Sequence, residues 1–224
     1  MSIFSLKQKL GYSLFLNKIL RFVPGWFLLF HPLRYIMIEP TNLCNLKCLF
    51  CTQGASKRPR GMMTAGMFKK IMPLLPGSIR EIQLHLAGES LLNKDLPFIV
   101  GALKDRGLKK VALSSNGTLP FEFYEKIIRA GLDEIVISLD GASKEIYDRY
   151  QRGGDFNRVL DNMAKMSRLN GRKTHLVIQF VVMRHNEHQI EDMKILSEKL
   201  GADALWLKSA SLNISSSEEL EEKI

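Results

Sequence analysis

From residue 35 onward the chain alternates short apolar runs, rich in β-branched residues, with longer stretches whose apolar residues recur every three or four positions. Runs of the first kind at 35–39, 82–86, 111–114, 135–139, 176–182 and 204–208 read as strands. Between them, Leu96, Val100 and Leu103 make a helix face closed by Gly107, and Tyr124, Ile127 and Ile128 make another closed by Gly131. Ile190, Met193, Leu196 and Leu200 repeat the pattern before Gly201. Strands separated by helices in this way pair in parallel, because the helix carries the chain back to the start of the next strand. Six such units in about 190 residues are too few for an eightfold barrel, which takes about 250. The expected fold is therefore α/β, a partial (β/α)6 barrel of the TIM-like kind, formed by residues 35–224.

Residues 1–34 do not fit the repeat. They carry Lys7, Lys9, Lys18, Arg21 and Arg34 with no acid, interleaved with Leu14, Phe15, Ile19, Leu20, Phe22, Trp26, Phe27 and Phe30. This is a basic amphipathic helical extension. Its apolar run at 22–30 is broken by Pro24 and Gly25 and falls well short of the roughly 20 residues a spanning helix needs. No small-x-small site follows it, so a secretory signal is a poor match. Two readings stand side by side: a helix lying on an anionic membrane surface, and a helix packed over the bottom or flank of the barrel. At the other end, Ser215, Ser216 and Ser217 precede Glu218, Glu219, Glu221 and Glu222, the composition of a helix start. That helix reads as truncated; a frayed acidic tail is the plain alternative.

Composition closes off other classes. With 46% hydrophobic and 25% charged residues, the chain can bury a core and is neither disordered nor fibrous. No Pro/Gly/Ser-rich linker divides it. A net charge of +9 favours anionic partners. Nucleic-acid binding is not expected, since no aromatic-interleaved groove or reader motif accompanies the charge. Three cysteines cannot complete an internal disulfide set, which argues against a secreted stapled fold and for a cytoplasmic protein.

All three cysteines fall in one segment, Cys44-x3-Cys48-x2-Cys51, immediately after the first predicted strand. In parallel barrels the chemistry gathers at the C-terminal ends of the strands. Here every such end is polar or glycine-bearing: Ala87-Gly88-Glu89-Ser90 after the second strand and Ser115-Asn116-Gly117 after the third. Ser138-Leu139-Asp140-Gly141 follows the fourth, and Arg184, His185 and Asn186 follow the fifth. A structural zinc site takes four protein ligands, and neither His31 nor His85 stands at a zinc-finger spacing. Three thiolates on a 4Fe-4S cluster leave one iron open to a small molecule, and the count favours that over zinc, a redox pair or inert thiols.

The cysteine segment, with Phe50 before the last cysteine, resembles the C-x3-C-x-aromatic-C signature of the radical SAM superfamily, and the likeness extends over about residues 35–208. Members chelate S-adenosylmethionine on the open iron and cleave it reductively to a 5'-deoxyadenosyl radical that abstracts a substrate hydrogen. The resemblance implies Cys44, Cys48 and Cys51 as cluster ligands and Phe50 beside the adenine. Gly88 and Glu89 stand where the family's Gly-Gly-Glu-Pro turn holds the methionine ammonium, although Ala87 and Ser90 depart from that pattern. Ser115 and Asn116 resemble its Thr-Asn-Gly, and Ser138 and Asp140 its Ser-hydrophobic-Asp-Gly, near ribose and methionine carboxylate. Before Gly153-Gly154-Asp155-Phe156 relatives place a carboxylate-binding Arg; Gln151 holds that position here, and Arg152 is the expected substitute.

The resemblance is to the subgroup that carries a C-terminal SPASM domain with further cysteine-bound clusters, and no cysteine follows Cys51. It implies an electron donor such as flavodoxin or ferredoxin and a peptide or small-molecule substrate. Lys57, Arg58 and Arg60 could receive an acidic donor or form a merely solvated loop. His185, at the rim, is a better substrate-side candidate than His85. The alternative to an enzyme is a non-catalytic iron-sulfur or SAM-binding protein on a degenerate barrel.

Overall fold

The structure is a computed structural model and describes residues 33–49, 51, 56–169 and 172–210. The amphipathic extension up to residue 32, Phe50 and the acidic stretch at 215–222 lie outside them. Six strands form one parallel sheet in sequence order: β1 (Tyr35–Met37), β2 (Glu81–Gln83), β3 (Lys110–Ser115), β4 (Glu134–Ser138), β5 (His175–Val182) and β6 (Ala204–Ser209). The helices between them are α1 (Ala65–Ile71), α2 (Leu96–Asp105), α3 (Phe121–Arg129), α4 (Lys144–Tyr150), α5 (Phe156–Arg168) and α6 (Ile190–Lys199).

Sequential order decides the architecture. Parallel crossovers are almost always right-handed, so a sheet whose order never reverses carries every helix on one face. A doubly wound sheet would need a reversal to cover both faces. The helix-side core follows strict alternation along the strands: Ile82 and Leu84, Val111 and Leu113, Ile135 and Ile137, then Leu176, Ile178 and Phe180. All are 0% exposed. Each such side chain contributes about 1.5–3 kcal/mol relative to an exposed one, and this repeated layer is what commits the sequence to the sheet.

The opposite face curls inward. In a flat sheet β2 and β6 would stand four spacings apart, about 19 Å. Here His85, just past β2, and Gln179 and Val181 on β5 line one cleft on the concave side. That inner face carries Gln83, Ser114, Ser138, Gln179 and Lys208 among aliphatics such as Val136, Val177 and Val181. Burial and curvature together leave a polar trough.

The six expected strands are all present, with β1 and β2 shorter than read. Pairing still extends beyond them, since Ile38 N donates to Gln83 O at 2.9 Å and Leu84 N to Ala112 O at 2.7 Å. Gly107, Gly131 and Gly201 have φ of 85°, 97° and 70°, the left-handed geometry that closes a helix. Two helices, α4 and α5, occupy the β4–β5 connection. Asp155 caps the second by accepting from Arg158 N at 3.1 Å. Among the described residues no helix is long and apolar enough to cross a membrane.

Candidate active site

The segment after β1 is held against the loop that returns to α1. Thr41 pairs with Met62 in an isolated antiparallel bridge, and Thr41 Oγ1 donates to Gly61 O at 2.8 Å. Asn42 spans the same gap twice, donating to Pro59 O and accepting from Gly61 N, both at 2.8 Å. Arg58 forks onto Glu39 at 2.7 and 2.9 Å, and Glu39 also accepts Ala87 N at 3.2 Å. The three thiols leave this braced segment and line one cleft of about 210 Å³ at the C-terminal ends of the strands.

Cys44 and Cys48 are half-buried and Cys51 is exposed. Burial, aided by the neighbouring Cys51 and Cys44, pushes the Cys48 thiol up to about 12. Cys44 is raised chiefly by burial as well. Thiols in that condition bind metal by losing protons to it, the state a cluster demands. Among the described residues no three His, Cys, Asp or Glu side chains close to the spacing of one metal ion. A single zinc draws its sulfurs to about 2.3 Å from one centre. A cubane takes each thiolate on a different iron, and the three thiols lining one cleft supply that number of ligands.

Across the cleft, the turn after β2 is pressed onto the cysteine segment. A methyl at Gly88 would stand 2.3 Å from Thr41 O and 2.6 Å from Leu43 O, so only hydrogen fits there. Glu89 N donates to Leu43 O at 2.7 Å. No described non-glycine residue has positive φ, so Ala87 takes the family's first glycine position without strain. Ser90 donates to Leu84 O at 2.6 Å. The Glu89 carboxylate is 2% exposed and accepts from Leu91 N and Asn116 N at 3.2 and 2.8 Å. Burial nevertheless pushes it up to about 7.

Asn116 continues the connection, donating from Nδ2 to Asn45 Oδ1 at 2.9 Å beside the Cys44 sulfur at 3.9 Å. Gly117, with φ of 78°, makes the turn that follows. Ser115 lines the cleft, yet its hydroxyl is engaged by Tyr124 OH at 3.3 Å and Gly117 N at 3.2 Å. At the end of β4, Asp140 is 2% exposed and accepts from Val181 N at 2.7 Å. Burial pushes its carboxyl up to about 7 also. Two buried carboxyls, both near neutrality's edge, give the cleft a strong capacity to receive a cation.

The cleft therefore brings together the three cysteines, Gly88, Glu89, Ser115, Asn116, Ser138 and Asp140. Phe50 lies outside the described residues. Arg152 is exposed and is not among the cleft's lining residues; its carbonyl accepts from Lys47 N at 3.0 Å. Gln151 sits there instead, 1% exposed, accepting from Asp140 N at 3.0 Å and donating to Ser138 O at 2.9 Å. His185 is not among the cleft's lining residues, and its Nε2 is buried and unpartnered among the described residues. Sequence reasoning missed Gln151, Tyr150, Ser114 and Gln179 as lining residues. Gln179 carried a readable signal: it is the one polar residue inside the apolar run 176–182.

A larger cavity, about 630 Å³, lies at the opposite end of the sheet. Two of its cations are already neutralised, Lys104 by Asp133 and Arg172 by Asp203, each at 2.7 Å.

Comparison with known proteins agrees with this placement of chemistry. The model of a family described as the Radical SAM superfamily matches residues 38–196. A probable GTP 3',8-cyclase of Methanococcus maripaludis is 31% identical over 172 residues, covering 76% of this chain and 57% of that protein. Its counterpart in Methanocaldococcus jannaschii is 30% identical over 174 residues with the same coverage. The chain thus spans 57% of the length of these relatives. Among solved structures, Streptococcus suis SuiB bound to S-adenosylmethionine superposes with a TM-score of 0.69 at 17% identity, covering 81% of this chain and 41% of that one. An anSMEcpe structure with bound AdoMet gives 0.65 at 20% identity, covering 82% and 53%.

Proposed function

Because the chain belongs to the radical SAM superfamily, we propose that it is the catalytic barrel of an enzyme acting by hydrogen abstraction on a peptide or small-molecule substrate. The family works with a 4Fe-4S cluster and S-adenosylmethionine, which together supply a 5'-deoxyadenosyl radical on reduction. The observation that carries the reading is the convergence of Cys44, Cys48 and Cys51 with the Gly88–Glu89 turn in one cleft at the strand ends.

In this reading the chain's own residues divide the work. Cys44, Cys48 and Cys51 would hold the cluster through three of its irons. Gly88 lets backbone approach the cysteine segment and a ligand on its other side. Glu89 and Asp140, already desolvated, gain most when a cation arrives, so both orient the sulfonium ligand. Asn116 links the third strand to the Cys44 side, and Ser115 and Ser138 shape the wall. Phe50 is assigned to adenine by motif position, whereas Arg152, exposed and not among the cleft's lining residues, is given no role. Gln151 keeps the end of β4 in register and leaves less positive charge at the cleft than an arginine there would. Cys51, the exposed thiol, marks the side from which a flavodoxin- or ferredoxin-like donor would deliver an electron.

Anaerobic reconstitution followed by dithionite and S-adenosylmethionine tests this directly. The expected result is 5'-deoxyadenosine; a fully loaded cluster that yields none leaves a non-catalytic SAM-binding protein. Likeness to probable GTP 3',8-cyclases makes GTP the first substrate to try. Peripheral attachment through residues 2–30 belongs to the same proposal, and is tested by pelleting with anionic vesicles before and after their deletion.

A further inference from the structure

The concave wall formed by β5, β6 and the end of β2 carries polar groups that the cofactor-directed residues leave unused. His85 faces the cleft, and its Nδ1 is buried without a hydrogen-bond partner. An orphaned buried nitrogen is uncommon and points to a missing ligand. Gln179 lines the same cleft from the middle of β5, and among the described residues its carboxamide makes no hydrogen bond to the protein. Val181, another lining residue, is in register with Lys208 on β6, and Gln179 with Trp206. Strand partners in register share a face, so Lys208 and Trp206 extend this wall. Lys208 Nζ stands 5.6 Å from the Trp206 ring centroid and, among the described residues, pairs with no carboxylate.

Glu89 and the thiols line the cleft, and Asp140 reaches this wall by accepting from Val181 N at 2.7 Å. Beyond Val181, Lys208 has no carboxylate partner among the described residues and stands on the same wall as two neutral hydrogen-bonding side chains. We propose that His85, Gln179 and Lys208 form a subsite that binds an oxyanion of the substrate, a carboxylate or a phosphate, with Trp206 supporting the lysine stem. An anion here is attracted by Lys208 and receives hydrogen bonds from His85 and Gln179. The subsite deepens the function proposed above and rests on it, since only there is this trough a substrate cavity.

The test uses the full reconstituted chain with histidine rings labelled with ¹⁵N, titrated with inorganic phosphate in one arm and acetate in the other at constant ionic strength. His85→Gln assigns the His85 signal by its disappearance. A saturable shift of that signal is expected with at least one anion, phosphate alone indicating a phosphorylated substrate and acetate alone a carboxylate. Lys208→Gln is expected to weaken the response at least about tenfold and Lys208→Arg to retain most of it. Lys126→Gln, which removes a charge from an outer helix, is expected to change nothing. No saturable shift in either arm, or equal affinity in wild type and Lys208→Gln, overturns the proposal. Formation of 5'-deoxyadenosine by the wild-type chain is measured separately, so a failure of the enzyme reading is told apart from a failure of this one.

Discussion

Replacing Gly88 by alanine isolates the contact between the β2 turn and the cysteine segment. The added methyl would meet Thr41 O at 2.3 Å and Leu43 O at 2.6 Å. Both are backbone atoms, so no side-chain rotation relieves the overlap, and the two segments must part by about 1 Å to reach ordinary contact. That displacement breaks the 2.7 Å bond from Glu89 N to Leu43 O, worth about 1 kcal/mol. Overpacking adds about 1–3 kcal/mol. A local cost of about 2–4 kcal/mol corresponds to a loss of tens- to several hundred-fold in the population of the correctly closed site. The core layer is untouched, so far-UV circular dichroism should be unchanged while iron loading or SAM affinity falls by that factor. Gly101→Ala, where nothing lies within 4 Å, is the matched control and should load normally. Wild-type loading and SAM affinity in Gly88→Ala would refute the close-approach argument.

Further outcomes follow from other residues. Glu89 and Asp140 are both pushed up to about 7 by burial, above their unfolded values, so the stability linked to their protonation is full below about pH 4 and lost as pH rises towards 7. The cofactor-free chain should melt lower at pH 8 than at pH 5.5, and a Glu89→Gln/Asp140→Asn double variant should flatten that slope; an unchanged slope contradicts the assignment. For the same reason SAM should bind more tightly at pH 8 than at pH 6, measured by isothermal titration. Serine at Cys44, Cys48 or Cys51 should each abolish the brown iron-sulfur absorbance, whereas a zinc site would show metal without colour. Gln151→Leu leaves Asp140 N and Ser138 O without their buried partner, at a cost of about 2–3 kcal/mol or roughly 4–12 °C in melting temperature.

Much of the architecture was legible because parallel strands covered by helices read as uninterrupted apolar runs. Ile135, Ile137, Leu176 and Phe180 advertise themselves in this way. Helix α1 did not, since it has seven residues and buries only Phe68. The helix at Phe156–Arg168 was hidden differently: its Gly-Gly-Asp-Phe start reads as a loop motif until Asp155 is recognised as a cap. At the site, the strand-end motifs lie where their order implied. Of the inner-wall residues, Gln179 stood out as a polar break in an apolar run, whereas Ser114 and Lys208 were invisible, because which face they share depends on register and on how far the sheet curls, and neither is written in local sequence.

The links among the strand ends form a closed circuit: Leu43 O receives Glu89 N, Glu89 receives Asn116 N, and Asn116 reaches Asn45, two residues from where the circuit began. A ring of this kind has no weakest end. Opening it at any one point releases the others, so paired substitutions within it should cost less together than the sum of their separate effects, whereas the same pairing with a distant residue should simply add.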